Sequence, residues 1–306
     1  MTSKPFMELG PVVVGSASRD IAPDDPRGWR LGGAVAYAGL ALARLGFRPR
    51  VLLGADPLAA AADELDLLRA AGAELNVIRL ARGPVFDSRE SDGRRVQTCL
   101  EPGDQLPVEA LPGPWRGGPA WLLVPVADEL PDDWASVPPG DADVALGWQG
   151  LLRELQRGGP VRRRQPGPTP LLSRADVVVV SRQDLDPATG ARALVDLLRP
   201  GAFLIVTDGE RGGGLWRASG SATLRGQRYR AFSAAHVVDA TGAGDAFLAG
   251  FVAARLGHPL GDPGRLRVAL RLAAALGSLT VEGAGLHGVP DEAAIAVRLG
   301  GSAERA

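Results

Sequence analysis

Residues 239–245 read Asp-Ala-Thr-Gly-Ala-Gly-Asp and run straight into an apolar helical pattern, Ala246-Phe247-Leu248-Ala249-Gly250-Phe251-Val252. The heptad marks a helix start and sets two glycines and four successive backbone N–H groups, Gly242 to Asp245, at its mouth. Such a turn is a ready anion site, because unpaired amides and the positive end of the helix dipole point at the same spot. Asp245 adds a carboxylate at the edge of that site. An anion hole beside a potential general base suggests phosphoryl transfer to a hydroxyl.

Around the heptad the chain alternates short buried strands with helices stopped by glycine. Residues 11–15 read as a strand ending in Gly15-Ser16-Ala17-Ser18-Arg19-Asp20, followed by an Asp- and Pro-rich loop over 22–30. Gly32-Gly33 starts a helix over 34–45, which Gly46 ends. A strand at 50–53 leads to an Ala-rich helix over 58–71, again closed by a glycine, Gly72. Further strands are expected at 121–126, 144–147, 177–180 and 202–207, and further helices at 188–198, 246–256 and 265–281. This rhythm indicates a mostly parallel sheet covered by helices. The stretch 85–100 breaks it and reads as a β-hairpin turning at Asp92-Gly93, the dipeptide best suited to a tight turn. It is expected off the main sheet, as a flap or an edge. Residues 101–120 and 156–170 are rich in Pro and Gly and read as loops.

At 306 residues, 45% apolar and 23% charged, the chain is globular and long enough for a substantial core. A net charge of −1 gives no reason to expect a nucleic acid or an anionic membrane as partner. Lys4 is the only lysine, which excludes a Schiff-base or P-loop lysine from the body of the chain. Cys99 is the single cysteine, so an internal disulfide and a cysteine-based zinc site are excluded as well. The apolar run Val12-Val13-Val14 is too short for a signal peptide or a spanning helix, and a cytoplasmic protein is the default.

Five segments, in order, resemble the ribokinase-like carbohydrate kinases (the ribokinase/phosphofructokinase-B family). They are Gly15-Ser16-x-x-x-Asp20; Gly32-Gly33 opening a helix that ends Ala43-Arg44-Leu45-Gly46; Val206-Thr207-Asp208-Gly209-Glu210-Arg211-Gly212; the heptad; and Ser278-Leu279-x-Val281-Glu282-Gly283-Ala284-Gly285. The resemblance implies an α/β fold of ribokinase-like type: a central, mostly parallel sheet with helices on both faces and ATP over its C-terminal edge. One domain is expected, with a reduced β-lid drawn from about 21–31 and 84–100. A homodimer is open as the oligomeric state.

It also implies roles. Asp245 would be the base, with the amides of Gly242, Ala243 and Gly244 stabilising charge on the transferred group. Asp20, Gly32, Gly33 and Tyr37 would face the acceptor, Tyr37 standing where sugar kinases commonly place Asn. Ser181, Asp184, Thr207, Gly209, Gly212, Gly244 and His287 would border ATP, with Asp184 reaching Mg2+ through water. The family usually has Asn-x-x-Glu where Ser181 and Asp184 stand. Asp239, Thr241, Ser278, Val281 and Gly283 would hold a monovalent cation such as K+. The helix opening and short lid look more like the inositol-kinase branch than ribokinase itself.

Gln149 and Arg153 lie near a strand end, where surface placement is expected over an acceptor role. His236, His258 and His287 share no ligand spacing and read as structural, and Arg162-Arg163-Arg164 reads as a solvated loop. A dinucleotide oxidoreductase is disfavoured because Phe247 occupies the third glycine position. The expected activity is ATP-dependent phosphorylation of a small sugar or cyclic polyol. A nucleoside kinase of the same family and a catalytically weak sensor on the same scaffold are the alternatives.

Overall fold

The computed structural model describes residues 10–91, 94–219, 226–256 and 263–300. In chain order its first elements are strands β1 (Val12–Ser16), β2 (Ser18–Ile21) and β3 (Trp29–Gly32), helix α1 (Ala34–Arg44), strand β4 (Arg50–Ala55) and helix α2 (Leu65–Ala70). Strands β5 (Glu74–Arg79), β6 (Val85–Ser91), β7 (Arg94–Glu101), β8 (Ala120–Leu123) and β9 (Asp143–Gly147) follow, then three two-residue strands, β10 (Arg153–Glu154), β11 (Gly159–Pro160) and β12 (Arg162–Arg163). The last third holds α3 (Pro170–Arg174), β13 (Val177–Ser181), α4 (Ala191–Val195), β14 (Phe203–Thr207), β15 (Gly213–Arg217) and β16 (Gly226–Tyr229). Helices α5 (Ala243–Arg255), α6 (Pro263–Thr280) and α7 (Glu292–Gly300) complete it.

The main sheet has the order β16-β15-β14-β13-β9-β8-β1-β4-β5, parallel throughout except where β15 and β16 add antiparallel. Its central strands are apolar on both sides. Val13, Leu53, Leu122 and Val177 enter the core beneath α1, α5 and α6, while Val14, Leu52, Leu123 and Val178 enter a second core on the opposite face. Continuous apolar runs such as Val177 to Val180 are what a sheet buried on both faces requires. The second face carries only the short helices α3 and α4 and several 3-10 turns, and Trp115, Trp134 and Trp148 supply much of its bulk. Among the described residues, no helix is long and apolar enough to cross a membrane.

Several expectations are corrected here. The stretch read as a loop over 22–30 ends in β3, and Asp20, which follows the end of β1, lies within a further strand, β2, because the two segments pair antiparallel from Ser18↔Gly32 to Ile21↔Trp29. The helix expected over 58–71 is broken. A 3-10 turn at Ala59–Ala61 gives way to an extended Ala62 (ψ 132°) before α2 begins, with Asp56 Oδ1 accepting the amides of Leu58 and Ala59. The helix expected over 188–198 shrinks to α4. Strands β5, β15 and β16 were not anticipated: β5 and β16 are half-exposed edge strands without the apolar runs of the centre, and β15 opens on two glycines. The hairpin lies off the main sheet, as expected; its Asp92-Gly93 turn falls outside the described residues, as does His258.

That hairpin belongs to a second sheet of order β11-β7-β6-β2-β3. Strand β2 leaves β1 after a single residue, Ala17, so the small sheet grows from the C-terminal edge of the large one. Strand order also reverses at that edge. From β1 the chain moves outward through β4 and β5, then returns to the other side of β1 for β8, β9, β13 and β14. Such a reversal opens a crevice at the carboxyl ends of the strands. Glu129, 2% exposed, spans it: its carboxylate accepts the amides of Ser16 (2.8 Å), Val126 (3.0 Å) and Ala127 (2.8 Å). Burial pushes its pKa up against those hydrogen bonds.

Gly33 closes the same corner, with φ 98° and a position where a Cβ would stand 2.5 Å from Ser16 O. Gly46, also at positive φ (82°), faces open space. In urea unfolding, Gly33→Ala is expected to cost at least ~3 kcal/mol, since backbone strain adds to a clash with backbone that cannot yield. Gly46→Ala is expected to cost only about 1 kcal/mol.

Candidate active site

Helix α5 begins at the crevice. Gly242 is its N-cap in the left-handed region (φ 78°). The Asp245 amide turns inward and donates to Gly242 O (3.1 Å), so three amides rather than four remain for an anion. Those of Gly242, Ala243 and Gly244 make no hydrogen bond to any described residue. Position 242 must be glycine for a second reason: a Cβ there would lie 2.0 Å from Cδ1 of Tyr37. Tyr37, 1% exposed on α1, is thus the floor on which the heptad rests. Burial first, then the negative charges of Asp239, Asp20 and Asp245, hold its phenol protonated well past the ordinary range.

On one side of Asp245 lies the β2–β3 corner. Ser18 Oγ donates to Asp20 Oδ1 (2.9 Å), and a Cβ at Gly32 would stand 2.3 Å from Asp20 Oδ2. Gly32 therefore makes room for the Asp20 carboxylate. Arg19 is paired with Asp56 (2.8 Å) and Arg30 with Asp24, which frame this corner with neutralised charge.

On the other side are the ends of β13 and β14. Ser181 Oγ accepts the amide of Gln183 (3.2 Å) and caps a 3-10 turn, Arg182–Asp184, that carries Asp184. The loop after β14 runs through Thr207, Gly209 (φ 55°) and Gly212 (φ 82°). Gly212 is buried, with Tyr229 O only 2.2 Å from where a Cβ would be. Asp208 is paired with Arg211 (2.7 Å), which holds its carboxyl below the usual range. His287 is exposed on the turn Gly285–Gly288, and His236 is exposed as well.

Gln149 and Arg153 do not take the surface placement expected of them. The turn after β9 is pinned by Trp148 N to Val179 O (2.9 Å) and Gly150 N to Pro125 O (3.1 Å). It carries Gln149 Nε2 to Asp184 Oδ1 (3.3 Å) and Arg153 Nη1 to Val126 O (3.0 Å). Both are half-buried at the strand ends. A long polar side chain just beyond a buried strand's carboxyl end was the available signal, but its side of the sheet is not written in the local sequence. The run Arg162-Arg163-Arg164 is exposed as expected, though Arg163 Nε holds Gln183 O and Arg164 pairs with Asp128.

The carboxylates respond to this setting. Asp245 keeps partial solvent access, yet the surrounding protein raises its pKa to about 7. Burial is the largest cause; Arg153 opposes it, and the charges of Asp184 and Asp20 add to it. No hydrogen bond from the described residues enters that balance. Asp184 is also raised, again by burial first, against Arg153 and the Gln149 hydrogen bond. Acids tuned towards neutrality in a crevice mark a functional site more often than a structural one.

Asp239 braces the heptad from outside. Its Oδ1 accepts Thr241 N (2.9 Å) and its Oδ2 accepts Gly285 N (3.1 Å). The set read as a monovalent-cation site fits poorly: Val281 O already accepts the amides of Val238 (2.8 Å) and Asp239 (3.2 Å). The Ser278 hydroxyl donates to Ala275 O (3.0 Å) and accepts from Arg298 (2.9 Å), while Gly283 lies packed against Gly288. Magnesium fits better. Asp184 is bonded only weakly by Gln149, and a lone carboxylate acting through water is the usual protein share of a Mg2+–phosphate site.

Residues 165–292 match the family model described as pfkB family carbohydrate kinase. A comparison with curated protein sequences finds no match. Among solved structures, a pyrophosphate-dependent kinase in the ribokinase family, complexed with a pyrophosphate analog and myo-inositol, is similar at 18% identity and a TM-score of 0.66. The match covers 90% of this chain and 96% of that one. Ribokinase from Arabidopsis thaliana, complexed with ribose and ATP, is similar at 19% identity over 95% of this chain and 99% of that one (TM-score 0.65). A nucleoside kinase from Methanocaldococcus jannaschii is similar at 14% identity over 96% and 99% (TM-score 0.64). These likenesses establish the architecture, a large, mostly parallel sheet flanked by helices. Over residues 165–292 the chain is similar to the pfkB family carbohydrate kinases, and as a whole it has the α/β fold of the ribokinase-family structures.

Proposed function

We propose that this protein is a kinase that transfers the γ-phosphoryl group of ATP to a hydroxyl of a small sugar or cyclic polyol, with Asp245 as general base. The observation that carries this reading is the position of Asp245. It follows three free amides at a helix start and shares their crevice with two further carboxylates, Asp20 on the β2–β3 corner and Asp184 at the end of β13. The acceptor hydroxyl, held by Asp20 over Gly32 and Gly33, gives its proton to Asp245. The amides of Gly242, Ala243 and Gly244 stabilise charge on the transferred group. Asp184 would hold Mg2+ through water, and the ion would supply positive charge to neutralise the donor phosphates. The small sheet serves as the lid that excludes water. No step is assigned to a monovalent cation.

A second reading concerns the donor. Arg153 and Arg163 act on Asp184, and Arg211, Arg182 and Arg228 act on Asp208, so guanidinium groups surround the ends of β13 and β14. That arrangement favours a phosphate chain and would serve inorganic pyrophosphate, the donor named for one of the similar structures. A coupled assay of ATP and pyrophosphate, each against pentoses, hexoses, inositols and nucleosides, tests both readings. Binding of donor and polyol without any transfer would overturn the kinase assignment in favour of a sensor.

Asp245→Asn is expected to lower turnover by roughly 100- to 10,000-fold with donor binding retained, as loss of a general base does; unchanged turnover removes Asp245 from that role. In the wild type the rate should rise with pH through an acidic limb near 7, because the base acts only when ionised. Asp20→Ala should raise the acceptor KM tenfold or more, about the effect of losing one charged hydrogen bond, and leave the donor KM near wild type.

The same carboxyl also sets a stability trend. Its folded pKa lies above the unfolded value of 3.8, so the folded state binds the extra proton and stability falls as pH rises through the interval up to about 7. Asp245→Asn is therefore expected to melt at a higher temperature than wild type at pH 8. The difference should vanish near pH 3, where both side chains are neutral; equal melting at pH 8 would contradict the assignment.

A further inference from the structure

Resting on the kinase reading above, we infer that Arg153 is a catalytic residue, the cation that meets the phosphoryl group in transit between Asp184 on the donor side and Asp245 on the acceptor side. The geometry points to it from four directions. Its backbone lies at the end of the turn that crosses the carboxyl ends of β8, β9 and β13. One nitrogen donates to Val126 O at 3.0 Å, which fixes the guanidinium at the strand ends. Its Cζ lies over the Phe86 ring, 5.3 Å from the ring centre, and Phe86 belongs to β6 of the small sheet. Four residues earlier in the same turn, Gln149 holds Asp184.

The charged and titratable groups facing this guanidinium come from several elements. Asp245 stands on α5, Asp184 after β13 and Cys99 on β7, and the charge of Arg153 acts on all three. Glu101 on β7 acts on Cys99, and Arg163 on β12 acts on Asp184. Asp20 and Tyr37 complete the surroundings of Asp245. Beyond Lys4 the chain has no lysine, so arginine is the permanently charged side-chain cation available at the point of transfer.

The acceptor oxygen bonds to the γ-phosphorus while the bond from that phosphorus to the β–γ bridging oxygen breaks. The bond pair leaves with ADP, or with phosphate if pyrophosphate is the donor. The acceptor proton goes to Asp245. Charge spreads over the three equatorial oxygens of the phosphoryl group, and a planar guanidinium matches two of them at once. The packing against Phe86 ties the position of this cation to the small sheet.

The test compares Arg153→Met and Arg153→Lys with wild type and Asp245→Asn. Transfer by wild type that is lost in Asp245→Asn secures the kinase reading; without it, that reading fails and the role of Arg153 falls with it. Given transfer, Arg153→Met is expected to lower kcat by roughly 100-fold or more, the effect of removing one transition-state donor. Its acidic limb should move to higher pH, because loss of the positive charge lets the Asp245 proton hold on longer. Arg153→Lys should recover part of kcat and return the limb towards wild type, since the charge is restored without the fork. A kcat within threefold of wild type in Arg153→Met, or a loss that tracks only the folded fraction seen by circular dichroism with the limb unmoved, overturns the inference.

Discussion

The contact of Gly242 with the ring of Tyr37 is the constraint on which the arrangement of the crevice depends. A left-handed glycine pressed onto a buried aromatic fixes where α5 starts relative to α1. Helix α1 itself begins at Gly33, which is pressed onto the exit of β1 in the same way. Two glycines that tolerate positive φ thus lock two helix starts to one strand end. The three unpaired amides of the heptad and the Asp20 corner are held at a set separation by main chain rather than by flexible side chains. A site that must position two reactants gains from that rigidity.

Around this frame the charges are arranged in opposition. Burial and the charges of Asp184 and Asp20 raise the proton affinity of Asp245, burial raises that of Asp184, and Arg153 opposes the rise at both. Such a cluster lowers the stability of the folded state, because three acids share a crevice with limited solvation. The buried Glu129 is treated differently. It too is raised by burial, yet three backbone amides satisfy it, and it ties together the strand ends at the point where sheet order reverses. One carboxylate holds the crevice shut at its base while the others remain available above it.

Much of this was legible in residue order. Val177 to Val180, the glycine stops at Gly46 and Gly72 and the Asp239–Asp245 heptad each encode local structure through backbone sterics or continuous apolarity, and each folds as its sequence indicates. The failures share a cause. Residues 29–32 form a strand only because β2 lies beside them, and the helix expected over 58–71 breaks where Asp56 captures the amides of the preceding turn. Edge strands β5 and β16 are half-polar and have no pattern of their own. Arg153 and Gln149 looked like surface residues because their spacing says nothing about which strand ends they overhang.

By itself, the sequence determined that a parallel sheet would form, that a helix would start at Gly242 with amides to spare, and that its cations would be guanidinium groups. These follow from apolar runs, glycine positions and composition, all of which act over a few residues. The tertiary structure decided which groups share the crevice. It used Tyr37 as a floor, turned the Asp245 amide inward, filled the oxygens around Val281 and Ser278 with protein donors, and brought Arg153 near enough for its charge to act on two acids. Those outcomes depend on strand order and on the reversal between β1 and β8, which bring together residues more than a hundred positions apart.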